Sequence, residues 1–141
     1  MIGRFVRGAC AALAVCAALA APAAGAPSGE YSGVIHQTNL HYTGEIKFIA
    51  QHNAIVALAV KMTVICTDGN AYSIIRGYNI HLKLKRKGSF KHEGDLGSQG
   101  TLDFTGRIKG RSATGTIQIA FNGGSHGGCT NQQFSRFSAS R

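Results

Sequence analysis

Apolar and polar residues alternate with a period of two in one short run after another along this chain. Ile46 and Phe48 alternate with Glu45 and Lys47. Val56, Leu58, Val60, Met62, Val64 and Cys66 share one parity, with Lys61 and Thr63 on the other. Ile80, Leu82 and Leu84 oppose His81, Lys83 and Lys85, and Leu102 and Phe104 oppose Thr101, Asp103 and Thr105. Ile117, Ile119 and Phe121 alternate with Gln118 and Ala120. Successive side chains of a strand point to opposite faces, so each run predicts a strand with one face in a core and the other in water. Beyond residue 27 no segment carries a convincing helical stripe.

Turn chemistry separates the runs. Gln51-His52-Asn53 predicts a hairpin between residues 45–50 and 54–66, and Asp68-Gly69-Asn70 a tight reversal where Gly or Asn accepts positive φ. Lys87-Gly88, Glu93-Gly94 and Lys109-Gly110-Arg111-Ser112 are further turns, and Asn122 to Gly128 reads as a glycine-rich loop entering Cys129. Seven to eight strands in so short a chain describe an all-β domain, either a small antiparallel β-sandwich or a closed β-barrel. The sandwich is the preferred of the two.

The first 26 residues change the setting. Arg4 and Arg7 precede an apolar run from Gly8 to Ala21, and Pro22 breaks it ahead of small residues suited to signal peptidase. Residues 1–26 are expected to be a secretory signal peptide, with cleavage falling between residues 23 and 29, and 27–141 a single β domain. Val15 is too bulky for a lipoprotein box ending at Cys16. The apolar run is shorter than the ~18 residues of a spanning helix, and no later segment qualifies. The expected destination is secreted, periplasmic or cell-surface. Outside the signal only Cys66 and Cys129 remain, and an isolated pair in an oxidising compartment is most simply a disulfide. Closing a loop of about 60 residues contributes about 4 kcal/mol in the chain-entropy model. Cys129 is placed at the start of the last strand, so the bridge is expected to pin that strand to the core.

Charge adds a candidate site. Without Arg4 and Arg7 the chain keeps 13 Lys and Arg against 6 Asp and Glu. Lys83, Lys85, Arg86, Lys87 and Lys91 form one cluster, and Arg107, Lys109 and Arg111 a second. If the two segments are neighbours, the charges converge into a patch for anionic cell-surface polymers or lipid head groups, with strong salt dependence. The plain alternative is that they keep a solvent face soluble and block edge pairing. Nucleic acid is disfavoured, because Phe90 is the sole aromatic within the first cluster and a stacking platform needs several.

Catalytic signals are sparse. His36, His41, His52, His81, His92 and His126 show no metal-ligand spacing. His36 and His41 flank a polar turn, and His92 sits beside Glu93 and Asp95. A hydrolase of phosphodiesters or wall polymers would need His36 or His92 to meet a Lys or an acid in a cleft. Gly97-Ser98-Gln99-Gly100 is not a nucleophile elbow, and Gly106 to Gly110 is not a phosphate loop. No catalytic residue, cofactor or metal is assigned.

Short markers run through the whole domain. They are Gly29-Glu30-Tyr31-Ser32-Gly33 with Gln37, Cys66-Thr67-Asp68-Gly69, Phe104-Thr105-Gly106-Arg107, Ala113-Thr114-Gly115-Thr116-Ile117, and Gly128-Cys129 followed by Phe134 and Arg141. Together they resemble a group of small exported bacterial β-domain proteins of unassigned function, over residues 29–141. That group tends to carry a tryptophan in the last strand, where this chain offers Phe134 or Phe137. The resemblance implies a disulfide-linked exported domain and no reaction. The segment from Gly106 to Ile119 also resembles small ligand-binding β-barrels, which need an apolar interior that Phe48, Leu58, Met62, Ile80, Phe104 and Phe121 would otherwise fill. Three readings follow: a non-enzymatic binder of anionic surfaces, a small secreted hydrolase using His plus Lys, and a small-ligand carrier.

Overall fold

Residues 27–141 are described by a computed structural model, and the expected signal peptide at 1–26 lies outside the described residues. The alternating runs become β1 (Gly29–Gln37), β2 (Tyr42–Gln51), β3 (Ala54–Cys66), β4 (Ala71–Lys83), β5 (Ser89–His92), β6 (Thr101–Lys109), β7 (Ser112–Asn122), β8 (Gly128–Thr130) and β9 (Ser135–Ser140). All pairs are antiparallel. The sheet runs β4-β3-β2-β1-β9-β7-β6-β5, and β8 bonds to both β3 and β7. Hydrogen bonding therefore closes on itself through β3, β2, β1, β9, β7 and β8. The fold is a closed β-barrel with β4, β5 and β6 extending the sheet. Nine strands exceed the expected seven to eight because β5 and β8 are four and three residues long, too short to display an alternation.

The β2–β3 hairpin turns at His52 (φ 48°) and Asn53 (φ 63°), and positive φ at both central residues matches the right-handed twist of the strands. Just beyond it the register slips between Ile55 and Ala57. This bulge corrects the expected parity of β3. Ile55, not Val56, enters the core (0% exposed), and Val56 is half-buried at the irregularity. From Leu58 to Cys66 the alternation holds as read.

Aromatic rings fill the interior. Phe48 stacks on Tyr31 at 5.0 Å and meets the edges of Phe104 and Phe137 at 6.0 and 6.3 Å. Phe90 lies 4.8 Å from Phe104. Such pairs each contribute about 0.5–1.5 kcal/mol beyond their burial. Room for them comes from Gly106 and Gly115, opposite each other on β6 and β7. A Cβ on Gly106 would stand 2.7 Å from the Phe90 ring, and one on Gly115 2.7 Å from that of Phe137. Leu58, Met62 and Phe104 are buried here, while Ile80 and Phe121 pack at the margin.

Two side-chain amides complete the barrel where strands fall short. Between its pairings with β2 and β8, β3 lacks a strand partner on that side, and Gln37 supplies one: its Oε1 accepts the Thr63 N–H (2.8 Å) and its Nε2 donates to the Thr63 carbonyl (2.7 Å). On β7, between β9 and β8, Asn131 accepts the Ile119 N–H at 2.9 Å and donates to the Ile117 carbonyl at 3.1 Å. Cys66 and Cys129 are cross-strand neighbours joined by a disulfide, 63 residues apart in sequence. The bridge does not fasten the last strand as expected. Cys129 belongs to β8, and the chain makes a separate turn through Asn131–Phe134 before β9 begins.

Candidate functional site

A cleft of about 770 Å³ opens at the end of the barrel where β4 leaves and the β6–β7 hairpin turns. Leu84 anchors its first wall. The side chain is buried, its N–H donates to the Asn53 carbonyl at 2.8 Å, and the chain then turns through Lys85–Gly88. The Lys85 N–H donates to Ser89 O (2.7 Å) and the Gly88 N–H to Lys85 O (3.0 Å). Gly88 is required twice over, since its φ is 74° and a Cβ there would collide with the Ile108 carbonyl. The apolar side chain of residue 84 is thus consumed by the core, and Lys85, Arg86 and Lys87 are left exposed in sequence.

The opposite wall is the β6–β7 turn at Gly110 (φ 60°), whose carbonyl accepts the Tyr31 hydroxyl at 3.0 Å. Beside it the Arg141 N–H donates to Arg111 O at 2.9 Å, and the Arg111 guanidinium donates back to Arg141 O at 3.1 and 2.9 Å. The Arg141 guanidinium in turn reaches the Ser28 carbonyl. Lys85, Arg86, Lys87 and Arg141 all line the cleft, with no Asp or Glu among the lining residues.

The two basic segments are therefore brought to the same end, but not every predicted cation shares the cleft. Lys83 is exposed on the outer side of β4, and Lys109 is exposed at the end of β6 next to Gly110. Lys91 is neutralised by Glu93 at 2.8 Å. Arg111 acts as the brace for Arg141. Arg141 itself went unread, because a residue 54 positions from Lys87 offers no spacing to link them. The acids sharpen the asymmetry. Glu30 and Glu45 lie 3.9 and 3.6 Å from Lys47 and Lys61, Asp95 and Asp103 accept the backbone N–H groups of Gly97 and Gly94, and Asp68 is engaged at the far end. With Glu93 on Lys91, all 6 acidic residues of the chain are committed elsewhere.

The histidines scatter. His36, His41, His52 and His81 are exposed, and none of the six lines the cleft. His92 faces inward with a buried Nε2 that has no protein partner, while Glu93 and Asp95 turn to other groups. One cluster escaped the sequence reading. Asp68 Oδ2 accepts the Tyr72 hydroxyl at 2.6 Å and lies 3.0 Å from His126 Nδ1. Hydrogen bonds from the Tyr72 hydroxyl and the Asn70 N–H lower the Asp68 pKa to about 2, and the bond to the Asp68 carboxylate raises that of Tyr72. The signal was present in the turn Asp68–Tyr72, but His126 lies 58 residues on. Arg76 of β4 sits 4.1 Å above the Phe121 ring and donates to Gln99 O at 2.9 Å; next to it the buried Tyr78 hydroxyl has no partner, and burial raises its pKa. Among the described residues no three His, Cys, Asp or Glu could hold a metal ion, and no helix is long and apolar enough to cross a membrane. Comparison with protein-family models, with curated proteins and with solved structures gives no match.

Proposed function

We propose that this protein is an exported, non-enzymatic β domain that binds anionic surface polymers or lipid head groups through the cleft of Lys85, Arg86 and Lys87. The supporting observation is a charge imbalance in space. Three consecutive exposed cations and Arg141 line one concave surface, while every Asp and Glu side chain of the chain is engaged away from it. Lys109 and Arg111 flank the same opening, so an anionic chain leaving the cleft meets further positive charge. Such a surface attracts polyanions by releasing their counterions, and affinity falls steeply as salt rises. A built nucleophile, metal cage or phosphate loop is not needed for this role. The open shape suits a polymer better than an enclosed small molecule.

The test is binding of heparin, polyphosphate and phosphatidylglycerol vesicles across a salt series, with the chain compared to its K85A/R86A/K87A variant. Each cation removed is expected to lower the salt slope by about one. Which probe binds best separates sulfated, phosphorylated and lipid sources of the same chemistry. Equal binding by the variant, or no binding to any probe at low salt, overturns the proposal.

A further inference from the structure

The opposite end of the barrel carries a small concavity of different chemistry, about 80 Å³, over the two amides that complete the ring. Its lining includes four carboxamides, from Gln37, Asn39, Asn131 and Gln133, with the hydroxyls of Thr38 and Ser135 and the ring of Phe134. No charged side chain lines it. Gln37 and Asn131 are 3% and 2% exposed and are held by backbone bonds, so the floor is rigid. Asn131 is further fixed by donating to Gln133 O (2.9 Å) and Ser135 Oγ (3.1 Å). A carboxamide has two N–H donors and two acceptor sites, and Gln37 uses one of each on Thr63. Asn39, Gln133 and Phe134 stand exposed at the rim.

Among the described residues few large apolar side chains are left in water, and one of them, Phe134, lines this pocket. Phe134 is 58% exposed, and Tyr42, directly opposite Gln37 in the β1–β2 ladder, is 54% exposed. An uncharged pocket of donors and acceptors beside the exposed Phe134 ring matches a ligand with hydroxyls round its edge and C–H groups on its face. From this we infer that the pocket binds one neutral sugar unit of a glycan, its hydroxyls on the carboxamides and its C–H face on Phe134. An extended peptide fits less well. Peptide recognition on a sheet uses free backbone at an edge, and here Gln37 and Asn131 already occupy that backbone on β3 and β7.

Backbone amide shifts by NMR test this, with the protein titrated by neutral tetrasaccharides of glucose, galactose, mannose and N-acetylglucosamine. At least one is expected to shift residues 37–40 and 131–135, with an affinity that does not change with salt. F134A is expected to weaken that binding about tenfold, and N39A/Q133A comparably; the replaced side chains are exposed, and an unchanged far-ultraviolet spectrum with an unchanged melting temperature separates lost binding from lost fold. K85A/R86A/K87A is expected to bind the sugar as the parent does, which keeps this site distinct from the basic cleft. Four silent sugars overturn the inference. So does a sugar bound equally well by F134A, or a neutral Gly-Ser peptide that moves these amides when no sugar does.

Discussion

The two ends of this barrel solve different problems with the same strands. At one end Cys66–Cys129, Gln37 and Asn131 tie β3, β7, β8 and β1 together, and Asp68, Tyr72 and His126 form a hydrogen-bonded cap. At the other, Lys85, Arg86, Lys87 and Arg141 surround an opening with no Asp or Glu side chain among its lining residues. β3 alone spans 13 residues, about 40 Å along the strand at ~3.3 Å per residue, and tilting it by roughly 40° as barrel strands do still leaves about 30 Å between the ends. That exceeds the ~8 Å screening length at physiological salt several times over, so the charge of one end hardly reaches the fixtures of the other. Side-chain amides and the disulfide are concentrated where the strands fall short of each other, and unpaired Lys and Arg side chains at the turns of the opposite end.

Removing the disulfide should break this division most deeply. C66A/C129A deletes two buried side chains and reopens a loop of 63 residues, and a loss of about 4 kcal/mol is expected. Urea unfolding measures it. Hydrogen exchange should rise first at β8 and the adjoining end of β3, with the Lys85–Gly88 turn unaffected until global unfolding. Equal loosening at both ends would show that the ends are one cooperative unit.

Asn131→Ala comes next. It leaves the Ile119 N–H and the Ile117 carbonyl without their side-chain partner inside the barrel wall. One unsatisfied buried group costs about 1–3 kcal/mol, so a loss near the top of that range is expected in the same unfolding measurement. A variant within 0.5 kcal/mol of the parent (about the scatter of neutral surface changes) would mean that water substitutes for the amide.

These amides also mark the limit of what was readable in the chain. Alternation from Leu58 to Cys66 and from Leu102 to Phe104 announced strands because half of each strand is buried and half wet. The Ile55–Ala57 bulge was not readable, because two apolar residues in succession satisfy either parity. β8 was merged with β9 into one last strand because three residues cannot show a period, and the closure through β8 that decides for the barrel over the preferred sandwich was not readable. Lys85, Arg86 and Lys87 were legible as a run of charge. Arg141 was not, since its place in the cleft depends on the pairing of β9 with β7. Gln37 stood out only as one of the short markers and Asn131 not at all, and their burial is a property of where neighbouring strands stop.

Acid should act on the capped end and spare the other. Asp68 has its pKa lowered from 3.8 to about 2, chiefly by the Tyr72 hydroxyl and then by the Asn70 N–H. A depressed carboxylate stabilises the folded state above its unfolded pKa, and that contribution fades as pH falls from about 4 towards 2. Unfolding midpoints followed across this window should drop less in Asp68→Asn than in the parent. Parallel curves would show that the Asp68–Tyr72 bond is absent in solution.

The smallest expected effect is at the basic end, and its smallness is what distinguishes the two regions. Lys85, Arg86 and Lys87 are exposed, and among the described residues no carboxylate lies within ion-pairing distance of them. Replacing all three with alanine removes no core contact, because the anchoring of this turn rests on Leu84 and Gly88. Stability should stay within about 0.5 kcal/mol of the parent. Relief of mutual repulsion opposes the loss of hydration, and the former grows as salt is lowered. The sign is therefore informative: a variant slightly more stable than the parent at low salt, and equal to it at high salt, is expected of cations held close together with nothing to pair with. A variant destabilised by 2 kcal/mol or more would instead place these side chains among the supports of the fold, and the contrast between a fastened end and a free one would be lost.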